Sequence, residues 1–178
     1  MKKALILTWE KFQDHEVIYP YYALKQHGFD VTVAGNCPGK RMPGILGAFI
    51  DCDTHVQDLY NQDNNPNDFD LLMIPGGVKA LEKLRLEDKA VRFVKEWFQT
   101  DKVCMCICNG AQLLITADVL RNRVCSGYYS IEPDIKNAGA YYSRNVTQDG
   151  SLVSCAHYDD MGDWMNMGMA EYENRNKQ

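Results

Sequence analysis

The stretch that most limits what this chain can fold into is its first 35 residues. Lys3-Ala4-Leu5-Ile6-Leu7-Thr8 is an almost unbroken apolar run, as strands buried on both faces are. Trp9 to Gln13 reads as a loop, and Asp14 is placed to cap a helix. From about His15 apolar residues recur at Val17, Ile18, Tyr21, Tyr22 and Leu24, and Gly28 stops the run. Asp30-Val31-Thr32-Val33-Ala34 is a second apolar strand. Strand, helix and strand in so short a span force a parallel pair joined by a right-handed crossover.

The rest of the chain continues the alternation. Gly35 to Asp53, rich in Gly and Pro, suits a short hairpin or excursion, and Gln57 to Asp68 a polar surface loop. Phe69-Asp70-Leu71-Leu72-Met73-Ile74 is the next strand and ends in the turn Pro75-Gly76-Gly77. Glu87 to Gln99 is an amphipathic helix with Val91, Val94, Trp97 and Phe98 on one side. A short helix is expected over Glu132 to Asn137. The segments Tyr141-Tyr142, Val146-Thr147 and Leu152 to Cys155 read as two strands joined at Asp149-Gly150. A last helix begins near Asp159-Asp160 and carries Trp164, Met165 and Met169. These elements imply one α/β domain over residues 1–178, doubly wound and mostly parallel, with ligands at the carboxyl ends of the strands.

One of those ends carries a nucleophile in an exposed position. The apolar run Val103-Cys104-Met105-Cys106-Ile107 meets the turn Cys108-Asn109-Gly110, and the helix-forming Ala111-Gln112-Leu113-Leu114-Ile115 follows. A strand, a tight turn and a helix form an elbow that lifts its first side chain above the sheet. The helix N-terminus there is expected to lower the pKa of the Cys108 thiol. Cys104 and Cys106, on the strand itself, read as small buried hydrophobes.

Bulk properties exclude several classes. A net charge of −5 argues against nucleic acid or an anionic membrane as partner. After Lys2-Lys3 the apolar run Ala4 to Thr8 is too short for a signal peptide or a membrane span, so a cytoplasmic, reducing location is expected. The seven cysteines lack C-x-x-C spacing, so no metal site is expected, and no cofactor.

Several stretches together resemble the DJ-one/ThiJ/PfpI superfamily, most closely its PfpI branch of so-called intracellular proteases. They are Phe12-Gln13-Asp14-His15-Glu16-Val17-Ile18-Tyr19-Pro20, Ile74-Pro75-Gly76-Gly77, Arg85-Leu86-Glu87-Asp88-Lys89-Ala90-Val91, Ile107-Cys108-Asn109-Gly110-Ala111-Gln112-Leu113-Leu114, Asn137-Ala138-Gly139-Ala140 and Asp149-Gly150-Ser151-Leu152-Val153-Ser154. The resemblance implies a flavodoxin-like sandwich, akin to class I glutamine amidotransferases, with Cys108 as nucleophile and Glu16 as the acid beside its sulfur. A half-buried carboxyl next to a thiolate should have a raised pKa. Gly76 and Gly77, with the amide after Cys108, match an oxyanion hole. Tyr128 matches a tyrosine near the pocket. Glu82 matches an acid reaching across a subunit interface, once one extra residue is allowed after Gly77, and so implies a homo-oligomer, a dimer or larger.

Asn109 departs from the pattern. The PfpI branch has His there, its assumed base, whereas Asn takes no proton and serves only to orient a substrate. Either Glu16 alone carries the proton, or His157, after the strand Leu152 to Cys155, supplies the base. His157-Tyr158-Asp159 loosely echoes the late catalytic His of the amidotransferases, whose purine-pathway members also carry Cys-Asn-Gly at the elbow. A surface or interface role for His157 is preferred. His15, His27 and His55 read as solvated, Asp159 and Asp160 as helix caps, and Met161, Met165, Met167 and Met169 as packing. Three functions follow in order: a cysteine enzyme acting on a small electrophile (hydrolase, hydratase or glyoxalase/deglycase), a cysteine redox or stress sensor, and a glutaminase-type amidotransferase domain.

Overall fold

The computed structural model describes residues 1–61 and 63–177. The first β-α-β unit forms as its pattern demands: β1 (Lys2–Leu7), α1 (Asp14–Gln26) and β2 (Phe29–Gly35). The excursion that follows holds β3 (Arg41–Pro43) and β4 (Phe49–Asp51), paired as a small antiparallel hairpin, and then β5 (Thr54–His55). The second half of the sheet brings β6 (Leu71–Ile74), α2 (Val78–Leu84), α3 (Asp88–Trp97), β7 (Val103–Ile107) and α4 (Ala111–Thr116). The chain closes with β8 (Val124–Ser126), α5 (Glu132–Asn137), β9 (Tyr141–Ser143), β10 (Thr147–Asp149), β11 (Leu152–Cys155) and α6 (Met161–Asn176).

Seven strands make the main sheet in the order β10-β11-β7-β6-β1-β2-β5. All its pairs are parallel except β10 with β11. From β1 the chain moves one way to β2 and later the other way, through β6, to β7. Right-handed crossovers therefore put the intervening helices on opposite faces, and α6 returns to pack beside α1. The register aligns Leu7 with Ala34, Ile74 with Cys106 and Ile107 with Cys155. The carboxyl ends of β1, β6, β7 and β11 thus open onto one edge of the molecule. Every residue of β6 and β7 is buried, and Trp97 and Trp164 are among the largest fully buried side chains around them. The Trp164 indole N–H donates to the Val153 carbonyl oxygen (3.1 Å), so its polar atom is satisfied inside the core.

Four local features depart from the sequence pattern or refine it. Helix α2, over Val78–Leu84, is not foreseen in the sequence. The late hairpin pairs β10 with β11, whereas Tyr141–Ser143 joins Val124–Ser126 in a separate parallel pair. Asp14 is not the cap of α1. Gln13 holds that position without a side-chain cap bond, and the buried Asp14 carboxylate instead accepts the amides of Leu46 (2.8 Å) and Ala48 (2.6 Å). Asp160 sits at the N-cap of α6 and makes no capping bond either. Met161, Met165 and Met169 are buried on α6, as packing residues should be, and Cys104 and Cys106 are fully buried. Among the described residues no helix is long and apolar enough to cross a membrane.

Candidate active site

Cys108 sits where β7 ends, at φ +58°, the left-handed region that a side chain enters only under strain. Such a conformation costs about 1–3 kcal/mol and persists where the surroundings over-determine it. Here they do. The Tyr128 amide donates to the Cys108 carbonyl oxygen (3.1 Å), and Cys108–Gly110 form a short 3-10 turn that runs straight into α4. The expected elbow is present, with the side chain 8% exposed.

Glu16, on the first turn of α1, is completely buried against this side chain. The Gly76 amide donates to Glu16 Oε2 (2.8 Å). The other oxygen, Oε1, is buried without a hydrogen-bond partner, so the Cys108 thiol is the polar group that the carboxyl has left to face. Burial pushes the carboxyl from 4.5 up to about 7, against the pull of the Cys108 and Gly76 hydrogen bonds. A carboxylic acid with its proton toward the sulfur removes the cost of an unsolvated, ionised Oε1.

The Cys108 thiol itself is shifted upward, the reverse of the expected helix effect. Burial contributes most and the Glu16 charge next, while the Asn109 and Gly77 amides pull the other way. The sulfur is too enclosed, and too close to a carboxyl, for the amides at the start of a short helix to prevail. Protonation of Glu16 removes the charge that opposes the thiolate, so the two groups share one proton problem.

The turn at Gly76-Gly77 fits because it lacks side chains. A Cβ on Gly76 would run into Glu16 Oε2 and come within 2.8 Å of Cys108 Cβ, and one on Gly77, at φ +103°, within 2.6 Å of the Gln13 nitrogen. The two amides have different duties. Gly77 N–H faces the sulfur with that of Asn109, whereas Gly76 N–H is already committed to Glu16. The backbone amides that face the sulfur are therefore those of Asn109 and Gly77, not Gly76.

Asn109 is buried, and its Oδ1 accepts from the Cys108 thiol at 3.6 Å. Its amide has no basic nitrogen and cannot take the thiol's proton. His157 is engaged locally: the Asp159 amide donates to its Nδ1 (3.2 Å), capping the 3-10 turn Tyr158–Asp160. The Asp159 carboxylate lies 3.3 Å from the same nitrogen, so this edge of the ring is held by its own turn. Glu82 is exposed on α2, in a cleft of about 500 Å³ with Trp9, Glu10, Lys79 and Lys83, and the chain does not bring it to Cys108. A roomier cleft, about 810 Å³, runs along α1 and α6 past Ile18, Tyr22, Met161 and Met165, and it too leaves Cys108 aside.

Aromatic rings gather around His157. Its ring lies 3.9 Å from that of Tyr158 and 6.4 Å, nearly parallel, from that of Tyr129. Tyr158 in turn stacks on His15 at 4.5 Å, so His15 is exposed but not merely solvated. Tyr128 sits 5.5 Å from Tyr129 and 6.5 Å from His157. For His15 the one sequence signal is adjacency to Glu16. Among the described residues no group of three or more His, Cys, Asp or Glu side chains is placed to hold a metal ion.

This geometry now meets the comparisons with known proteins. The model of the DJ-1/PfpI family matches residues 2–171. The chain belongs to the DJ-1/PfpI family. It is 38% identical over 164 residues, 92% of this chain and 95% of the relative, to Deglycase PfpI of Pyrococcus furiosus. It is 39% identical over 140 residues, 78% of this chain and 77% of the relative, to General stress protein 18 of Bacillus subtilis. Among solved structures, a two-domain protein from Anabaena variabilis containing DJ-1/ThiJ/PfpI-like and ferritin-like domains superposes with a TM-score of 0.88 at 31% identity, over 96% of this chain and 48% of that one. The chain thus spans about half of that two-domain protein.

Proposed function

We propose that this family member is a cysteine-dependent enzyme acting on small electrophilic carbonyl compounds or their adducts, the chemistry that the name deglycase denotes for its relatives. The observation carrying the proposal is the convergence on one strained sulfur of a buried carboxyl with a pKa near 7 and the amides of Asn109 and Gly77. With a 2-oxoaldehyde, the Cys108 sulfur adds to the aldehyde carbon and the amides hold the developing oxyanion. Glu16 then moves the proton from that carbon to its neighbour, which oxidises the first carbon to a thioester and reduces the second to an alcohol. Water cleaves the thioester, releasing a 2-hydroxy acid and the free thiol. From an amine adduct of the same aldehyde, the sulfur displaces the amine and the later steps are unchanged.

The enclosed sulfur suits a small carbonyl end, and Asn109 in a base's position argues against peptidase activity. The test is release of 2-hydroxy acid from methylglyoxal and its N-acetyllysine adduct. Cys108→Ala should lose roughly a thousandfold or more in kcat/KM, and Glu16→Gln should be strongly impaired. Wild-type rates in Cys108→Ala would end the proposal.

A second reading, a redox sensor, rests on the buried Glu16 carboxyl against the Cys108 side chain, which as an acid would donate to a sulfinate. Two equivalents of peroxide convert the thiol to sulfinic acid with release of two waters. Mass spectrometry after mild peroxide should show that product on Cys108, and an unmodified Cys108 rules it out. Glu82 remains our proposed link to a homo-oligomer, to be tested by light scattering of wild type and Glu82→Ala.

A further inference from the structure

We propose that the rings of Tyr129, His157, Tyr158 and His15 form a shelf at the mouth of the Cys108 site. It would hold a planar, conjugated group of the substrate, so that aryl-substituted carbonyl compounds are preferred to saturated ones of equal size. This deepens the enzyme reading above and rests on Cys108 as the reacting group.

Each ring arrives on a segment that the elbow itself positions. His15 directly precedes Glu16 on α1, whose carboxyl lies against the Cys108 side chain. His157 and Tyr158 follow β11, whose last residue, Cys155, is in register with Ile107, the residue before Cys108. Tyr129 follows Tyr128, whose amide is bonded to the Cys108 carbonyl. Three remote stretches of chain thus bring aromatic faces to one place, at centroid distances of 3.9, 4.5 and 6.4 Å.

Tyr158 packs in part against the core, yet none of the four rings is fully buried. His15 and Tyr129 are exposed, and His157 and Tyr158 half-buried. Among the described residues the hydroxyls of Tyr128, Tyr129 and Tyr158 make no hydrogen bond within the chain. The rings cover one another's inner faces at 3.9 and 4.5 Å, so the open outer face of the stack and its free hydroxyls are what meets a ligand that stacks and accepts hydrogen bonds. An aryl carbonyl does both, because conjugation makes its ring electron-poor toward the electron-rich faces of tyrosine.

The test separates binding from turnover. Cys108→Ala protein, unable to bond covalently, is titrated by NMR with benzamide and with cyclohexanecarboxamide, inert probes alike in size and different in planarity. The expected result is binding of benzamide about two- to tenfold tighter, with the ratio falling to near one when His157→Leu and Tyr158→Leu are added. Tyr129→Leu, on the exposed rim, should lower the same ratio without touching the elbow. A ratio near one in Cys108→Ala, or a ratio that none of the leucine substitutions lowers, overturns the shelf. In parallel, wild type is assayed with phenylglyoxal and cyclohexylglyoxal. If neither is turned over while the binding ratio holds, the enzyme reading falls and the shelf stands. If both are turned over and the binding ratio is near one, the shelf falls and the enzyme reading stands.

Discussion

Replacing Glu16 by Gln should make the protein more stable above neutral pH while disabling it. The unfolded carboxyl ionises near its ordinary 4.5, whereas the folded one, buried beside Cys108, holds its proton to about 7. Between those values the folded state binds more protons than the unfolded one, so stability falls as pH rises, and levels off once the folded carboxyl has ionised. The rise from 4.5 to about 7, at about 1.36 kcal/mol per pH unit, makes the full penalty about 3 kcal/mol. Gln does not ionise and escapes it. Its side-chain oxygen can still accept the Gly76 amide, now donated to Oε2 at 2.8 Å, and its nitrogen takes the place of the partnerless Oε1. Urea denaturation of wild type and Glu16→Gln at pH 5 and pH 8 measures the effect. The stability difference between the two proteins should move by about 2–3 kcal/mol in favour of Gln from the lower pH to the higher. Any pH-independent effect of the substitution cancels in that comparison. A difference that stays constant across the range would mean that Glu16 ionises at its ordinary pH and that the coupling to Cys108 argued above is wrong.

Gly76→Ala would place a methyl against the Glu16 carboxyl, 2.8 Å from Cys108 Cβ and 3.1 Å from the Asn109 nitrogen. We expect a cost of about 1–3 kcal/mol by thermal denaturation, with far-UV circular dichroism unchanged and activity lost. Asp14→Ala removes the carboxylate that accepts the Leu46 and Ala48 amides. Those two amides should exchange with deuterium much faster, with a global loss of about 1–3 kcal/mol. Trp164→Phe removes the indole donor to the Val153 carbonyl and leaves a smaller ring in a fully buried site, and chemical denaturation should show a loss of about 1–3 kcal/mol.

Much of the site is legible in the residues, because an elbow is a local event. Ile107-Cys108-Asn109-Gly110-Ala111 spells strand, turn and helix within a few positions, and Pro75-Gly76-Gly77 marks a close backbone approach. The pairing of Glu16 with Cys108 is not local and came from resemblance. The structure supplies its physics, a carboxyl in van der Waals range of a residue that only glycine's bareness accommodates. The direction of the Cys108 shift was misread because helix dipoles can be seen in a sequence and depth of burial cannot. Asp14 was misread for a related reason: an acid before a helix looks like a cap, and nothing nearby reveals that the loop at Leu46–Ala48 comes to claim its carboxylate. The ring stack is the least visible feature. His15, Tyr129 and His157 are far apart in the chain, and only the sheet order brings them together.

In the proposed mechanism Cys108 forms a bond to the substrate and Glu16 moves the proton that lets the bond break. Intact and peptide mass spectrometry of Glu16→Gln protein quenched during incubation with methylglyoxal or its amine adduct tests this directly. With the proton carrier gone, an adduct of the aldehyde should accumulate on the Cys108 peptide and be absent from the Cys108→Ala, Glu16→Gln double variant. Turnover by wild type with no adduct on Cys108 in Glu16→Gln, together with full activity in Cys108→Ala, would contradict it.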